Sequence, residues 1–121
     1  MKRQAAAIAL LACGATFAAE SAWRLTYASF QGGFLIYGGG LGDPVAPSSR
    51  SKNVAFTVTG EVAKQIFEAM GPDLKNRCGA GDGQRIRQRA ELVCIARPDE
   101  GYRCSFGFDL LSGRSIGGSL C

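Results

Sequence analysis

The sequence of 121 residues is 46% hydrophobic and 20% charged, and it contains no histidine. Without histidine, the chain cannot build a Ser-His or Cys-His nucleophile, a histidine metal site or a histidine pH switch. The formal net charge is +4, and it falls to +2 when Lys2 and Arg3 are left out, an excess too small to predict a nucleic-acid partner.

The N-terminus has the composition of a secretory signal peptide. Lys2 and Arg3 precede an uncharged, mostly apolar run from Ala5 to Ala19, which is too short to cross a membrane as a helix. We therefore predict a signal peptide over residues 1–19 and a single domain over residues 20–121, of a size that forms one modest core. No later apolar run predicts a transmembrane segment.

The predicted signal peptide has two alternative exit sites. Thr16-Phe17-Ala18 offers small residues at the required positions, so cleavage near Ala18 or Ala19 would release a soluble protein. Leu10-Leu11-Ala12-Cys13 is similar to the bacterial lipoprotein box, in which Cys13 would become a lipidated N-terminus. The soluble form is favoured, because a leader that ends before Cys13 is short. Either route predicts a periplasmic or secreted protein.

The first part of the predicted domain combines a hairpin with a long loop. Over residues 22–37, two strand-like apolar runs flank Gln31-Gly32-Gly33, a pattern that predicts an antiparallel hairpin. The next stretch, Gly38–Asn53, is rich in Gly, Pro and Ser, which predicts a loop. Because loops of this length are often functional, Asp43 is a candidate partner contact.

A strand and a helix follow the loop. Val54–Thr59 alternates as a strand does, and Thr59 is a suitable N-cap for a helix. Apolar residues then recur at three- and four-residue steps, which predicts a helix over Gly60–Met70 that ends at Gly71 and Pro72. The apolar stripe of this helix consists of Val62, Ala63, Ile66, Phe67 and Met70.

Three alternating arginines mark the best candidate interaction site. Arg85, Arg87 and Arg89 occupy every second position of a predicted strand, which places their guanidinium groups on one face, about 7 Å apart. They are candidate contacts for the carboxylates or phosphates of an envelope partner. The alternative is a solvated edge strand whose charges prevent aggregation. An apolar strand over Leu92–Ala96 follows.

The C-terminal stretch predicts a second hairpin. Tyr102–Leu110 alternates between apolar residues and mainly polar or small ones, as a half-buried strand does. Ser112-Gly113 is a plausible two-residue loop, and the register that it sets places Cys104 opposite Cys121. A slip of one residue would send every side chain to the other face.

The predicted domain contains four cysteines, Cys78, Cys94, Cys104 and Cys121. In an exported protein this even number predicts two disulfides. The hairpin register favours 104–121, which leaves 78–94. A four-residue turn at Pro98–Gly101 would set Cys94 opposite Ser105, and this argues against a 94–104 bond. Zinc is disfavoured, because the cysteines form no C-x-x-C pair.

Together these elements predict an α+β domain. Its sheet is mainly antiparallel, with about six short strands, one helix packed on one face and two disulfides. Trp23, Tyr27, Phe106 and Phe108 are expected in the core, with a binding surface as the alternative.

No catalytic constellation can be assembled from the sequence. The ten acidic residues are the remaining candidates, and their spacing selects no carboxylate pair for glycoside hydrolysis. The glycine runs Gly38–Gly42 and Gly79–Gly83 match neither the G-x-G-x-x-G nor the Walker pattern. We therefore predict no catalytic residues, no metal and no cofactor.

Three motifs carry a family resemblance: YGGGLGDP at Tyr37–Pro44, MGPD at Met70–Asp73, and YRCSFGFDLLSGRSIGGSLC at Tyr102–Cys121. Over most of the predicted domain, the chain resembles a family of small exported proteins of Gram-negative bacteria that has no assigned activity. The resemblance implies a bacterial source and a location in the cell envelope. It implies no site residues.

The sequence therefore favours a non-catalytic periplasmic protein-binding module, of the inhibitor or immunity type, whose partner is another envelope protein. The alternative is a structural or accessory envelope component, lipid-anchored through Cys13. A small carboxylate-dependent cell-wall hydrolase is a more distant alternative. The residue pattern does not fix the oligomeric state.

Overall fold

The computed structural model describes Gly14, Trp23, residues 25–75, Arg77, residues 80–81 and residues 83–120. Within these residues the chain forms an α+β unit with one helix and an antiparallel sheet, as predicted. The elements are β1 (Gln31–Gly40), β2 (Asp43–Val45), β3 (Asn53–Thr59), α1 (Gly60–Ala69), β4 (Arg85–Arg89), β5 (Leu92–Arg97), β6 (Gly101–Asp109) and β7 (Ser115–Ile116).

The strands form one sheet in the order β2-β1-β3-β6-β5-β4, and all neighbours are antiparallel. β7 pairs with β6 at Gly107 and Phe108, beyond the point at which the pairing of β5 with β6 ends. The sheet therefore has two edges, formed by β1 with β2 on one side and by β4 on the other.

Helix α1 agrees with the prediction except that Met70 is its C-cap rather than its last residue. Thr59 is extended at the N-cap, but its side chain makes no capping hydrogen bond within the described chain. The apolar stripe of α1 packs across β6, β5 and β3. Burial of this stripe stabilises a helix of ten residues, which would be marginal on its own. The resulting core consists of Val58, Ala63, Phe67, Met70, Cys94 and Cys104.

The predicted N-terminal hairpin is not formed. Residues 25–30 belong to no strand, and β1 runs without a turn through Gln31, Gly32 and Gly33. β3 offers a continuous row of partners, from Thr59 opposite Gln31 to Asn53 opposite Tyr37, so these glycines lie within a ladder. The side chains of this N-terminal stretch stay outside the core, and Trp23 is 83% exposed.

Much of the predicted loop over Gly38–Asn53 is also strand. Gly38–Gly40 completes β1 and pairs with β2, which contains Asp43. The Gly39 N–H donates to Ser51 Oγ over 2.8 Å, and Asn53 Nδ2 donates to the Gly39 carbonyl over 3.2 Å. Side-chain hydrogen bonds therefore hold the end of the segment between β2 and β3 against β1.

The β5–β6 turn is one residue shorter than predicted, and this changes the disulfides. Gly101 has a φ of +76° and begins β6 opposite Arg97, which leaves a three-residue loop, a common hairpin geometry with glycine in the left-handed region. The shift sets Cys94 opposite Cys104, with Cα atoms 4.0 Å apart, and the two are bonded. The predicted 78–94 and 104–121 pairs are therefore wrong. Cys78 and Cys121 lie outside the described residues.

The C-terminal hairpin is out of the predicted register by two residues. Phe108 pairs with Ser115, because the Asp109 carboxylate accepts the N–H groups of Leu111 and Ser112 over 2.8 and 3.3 Å and so organises a longer loop. Further on, the chain crosses β6 closely. A Cβ on Gly118 would lie 2.2 Å from the Phe106 carbonyl oxygen, so only glycine fits there.

Candidate interaction surface

The predicted arginine row exists, but it faces the helix. Arg87 is opposite Cys94 in the β4–β5 ladder, and opposed residues in a sheet share a face. Because Cys94 lies in the core beneath α1, the row lies on the covered side of the sheet. The arginines of β4 are thus neither a free row of charges nor a simple solvated edge.

Arg87 closes the C-terminal end of α1. Its Nη1 donates to the Phe67 carbonyl over 2.7 Å and to the Met70 carbonyl, and its guanidinium carbon lies 4.3 Å from the centroid of the Phe67 ring. The last turn of α1 contains no basic residue, and the cation that complements the carbonyl end of the helix comes from β4 instead. This contact anchors the helix to the sheet.

Asp73 joins two arginines of the row. One of its oxygens lies 2.7 Å from Arg85 Nε and the other 2.7 Å from Arg87 Nε. Hydrogen bonds from Arg85 and then Arg87 lower the pKa of the Asp73 carboxyl from its ordinary 3.8 to about 2, and the bond with Asp73 in turn raises the pKa of Arg85. No sequence pattern predicts this pairing, because Asp73 lies twelve residues from Arg85 along the chain.

The other two candidate contacts lie apart from this cluster. Arg89 is exposed at the end of β4, where its Nη1 donates to the Gln88 carbonyl over 3.0 Å. Asp43 is exposed on β2, at the opposite edge of the sheet. The structure therefore brings Arg85 and Arg87 together around Asp73 and separates Asp43 from them.

Replacing Arg87 with methionine is expected to lower the free energy of unfolding by about 2 kcal/mol, because buried carbonyl groups at the helix end lose a charged donor. Chemical denaturation measures the loss. Arg89→Met is the matched control, and its effect should stay within about 0.5 kcal/mol, as is usual for an exposed site. Equal losses in the two variants would contradict the anchoring role of Arg87.

The ion pairs of Asp73 with Arg85 and Arg87 predict that the stability of the protein falls at acidic pH. A carboxyl whose pKa is lowered on folding stabilises the protein above its unfolded pKa of 3.8, and this contribution is lost as the pH falls toward about 2. Wild type should therefore be more stable than Asp73→Asn at neutral pH, and the difference should shrink through this acidic window. Denaturant midpoints measured across the window provide the test. A difference that is constant with pH would contradict it.

A second candidate surface lies on the same face of the sheet, beyond the helix. Phe34, Phe56 and Phe106 are directly opposed across β1, β3 and β6, and the adjacent row holds Ile36, Val54 and Phe108. We call these six residues the phenylalanine platform. Ring centroids lie 6.5 Å apart for Phe34 and Phe56, 5.2 Å for Phe56 and Phe106, and 6.3 Å for Phe106 and Phe108.

The phenylalanine platform is only partly covered. α1 packs over the next row, Val58 and Cys104, whereas Phe34 is 69% exposed, Ile36 46% and Phe108 38%. The expectation that Phe108, Trp23 and Tyr27 lie in the core is wrong, and Phe106 is half-buried. Alternation in each strand could have indicated the face of every ring, but the alignment of the rows depends on registers that the sequence leaves open.

The described residues contain no group of three or more Cys, Asp or Glu side chains that could hold a metal ion. No helix among them combines the length and hydropathy needed to cross a bilayer. Comparison of the chain with protein-family models, with curated proteins and with solved structures finds no match.

Proposed function

We propose that the protein is an exported, non-catalytic binding module that holds another envelope protein on the phenylalanine platform. The observation that carries this proposal is the exposure of Phe34, Ile36 and Phe108 on one face of the sheet. Patches of this kind on small proteins often mark interaction sites, and aromatic side chains commonly dominate the binding energy.

The state of the charged groups also favours binding over catalysis. Arg85 and Arg87 are engaged with Asp73 and the end of α1, so they contribute to stability before any partner arrives. Asp73 has a pKa of about 2 and stays ionised at neutral pH, which makes it unsuitable as a general acid. An inhibitor or immunity-type role requires a binding surface and no reactive group.

The test is loss of partner binding on changing Phe108. Partners are first captured from envelope extract with the oxidised protein and identified, and the affinity of the purified pair is then measured. Phe108→Ala should weaken binding by about 2 kcal/mol, roughly thirtyfold, if the ring is a central contact. Leu120→Ala is the matched control, since Leu120 is 69% exposed and lies outside the platform. Equal losses, or a loss only in Arg89→Ser, would reject the platform as the contact.

The proposed compartment is the periplasm or the exterior of the cell, with the soluble form favoured. The Cys94–Cys104 disulfide supports an oxidising environment. The intact mass of the purified protein should then correspond to cleavage near Ala19 and lie at least two hydrogens below the reduced mass. A chain that begins at an acylated Cys13 would favour the lipid-anchored alternative.

A further inference from the structure

The two edges of the sheet differ in how open they are to another strand. At the β4 edge, the exposed Arg89 supplies charge, and Leu74 forms a bridge with Ile86 through a hydrogen bond of 2.7 Å from the Leu74 N–H to the Ile86 carbonyl. Charged residues and a covering segment are common ways of blocking an edge strand. The β4 edge is therefore protected.

The β1 edge has neither protection. β3 pairs with one side of Gln31–Tyr37, and β2 reaches the other side only at Gly38–Gly40. Main-chain groups point alternately to the two sides of a strand, so over Gln31–Tyr37 half of them face a side on which no described residue pairs with them. β1 contains no charged residue and no proline to discourage pairing.

The side chains along this open edge are also exposed. Phe34 and Ile36 project on the helix side of the sheet and Leu35 on the opposite side, and they are 69%, 46% and 47% exposed. An added strand would therefore cover apolar surface on both faces while it completes the main-chain hydrogen bonds.

We propose that the open β1 edge is a dimerisation site, and that its occupant is a second copy of this chain paired antiparallel to it. Phe34 is the central residue of Gln31–Tyr37, the part of β1 that pairs only with β3. A twofold axis at Phe34 therefore pairs the whole of this stretch with the same stretch of the second copy. Gly32 and Gly33 then lie opposite Ile36 and Leu35 of the second copy. The pairing opposes no like charges, because the stretch is uncharged.

The difference between the edges limits assembly to two copies. A twofold contact uses the open edge of both chains at once. Of the strands left at the edges of the joined sheet, β4 is protected, and β2 and β7 are only three and two residues long. The same twofold axis places the helix sides of the two sheets on one face of the joined sheet, so the two phenylalanine platforms become adjacent at Phe34. The inference goes beyond the proposed function, and the oligomeric state can be measured without any partner protein.

Sedimentation equilibrium of the oxidised protein tests the proposal. Wild type should show twice the mass of a single chain, and Phe34→Lys should weaken the dimer by about tenfold or more, because the lysines of the two copies approach one another at the axis. Leu111→Lys is the matched control, since Leu111 is 54% exposed in the β6–β7 loop, and it should remain dimeric. Circular dichroism verifies that each variant is folded.

Cross-linking gives the geometry of the contact. In Phe34→Cys the two introduced cysteines would face each other with Cα atoms about 4.5–5.5 Å apart, within the range that a disulfide spans. Mild oxidation should therefore yield a covalent dimer that reductant separates, whereas Leu111→Cys should yield none. A wild type that stays monomeric into the millimolar range overturns the proposal. So does a dimer that Phe34→Lys leaves intact, or an edge that binds only an unrelated protein.

Discussion

Phe67→Ala is expected to lower the free energy of unfolding by about 4 kcal/mol. The Phe67 side chain is 1% exposed, and its ring centroid lies 5.3 Å from that of Tyr102 and 4.3 Å from the guanidinium carbon of Arg87. Removing the ring opens a cavity beneath α1 and also takes away the surface on which Arg87 rests. Because small domains are stable by only about 5–15 kcal/mol, the variant should be partly unfolded at modest urea concentrations.

Urea denaturation with the disulfide intact measures this loss. Phe67→Leu is the control, since it keeps an apolar side chain and should cost less than half as much. A double-mutant cycle of Phe67→Leu with Arg87→Met should be non-additive, because the two side chains are in contact. A loss below about 1 kcal/mol for Phe67→Ala would show that this ring does not anchor the helix.

Removing the Cys94–Cys104 bond by a double change to alanine is expected to cost about 3 kcal/mol. The bond closes a loop of sequence separation 10, and restricting a loop of that length in the unfolded chain gives this magnitude in the chain-entropy account. Both cysteines are fully buried, so the lost sulfur atoms add a packing penalty. The expected effect is therefore a lower bound.

Denaturation of the oxidised wild type, the reduced wild type and the double variant separates these contributions. The reduced wild type keeps both sulfur atoms, so its difference from the double variant under the same reducing conditions reports their packing. Peptide mapping without reduction should recover the segments that contain Cys94 and Cys104 as one disulfide-linked species. Free alkylation of both thiols in the native, unreduced protein would contradict the pairing.

Elements that depend on local pattern could be predicted from the sequence. Helix α1 follows from an apolar stripe at helical spacing, ended by Gly71 and Pro72, and its predicted end is wrong by one residue. The β4 and β6 strands follow in the same way from alternation, and β5 follows from the apolar run Leu92–Ala96. Each of these features is set by residues close together in the chain.

Features that depend on register could not be predicted. The choice between a three- and a four-residue turn rests on whether Gly101 belongs to the loop or to β6, and alternation does not decide it. That single residue determines whether Cys94 faces Ser105 or Cys104, and with it the disulfide.

The candidate sites likewise combine features that local pattern predicts with features that depend on strand register. The spacing of the arginines correctly placed them on one face, but which face α1 covers depends on the β4–β5–β6 registers and on packing. Asp73 reaches Arg85 and Arg87 only after β4 has joined the sheet. The rings of Phe34, Phe56 and Phe106 lie far apart in the sequence, so their row exists only in the assembled sheet.

The exposure of Trp23 has a practical consequence for spectroscopy. Trp23 is the only tryptophan in the chain, and it lies 83% exposed before the first strand. Its indole is therefore hydrated in the native state as well as in the unfolded one, and its fluorescence emission should barely shift when the core melts. Tyr102 packs against Phe67, so its near-ultraviolet circular dichroism should report the loss of core packing on unfolding.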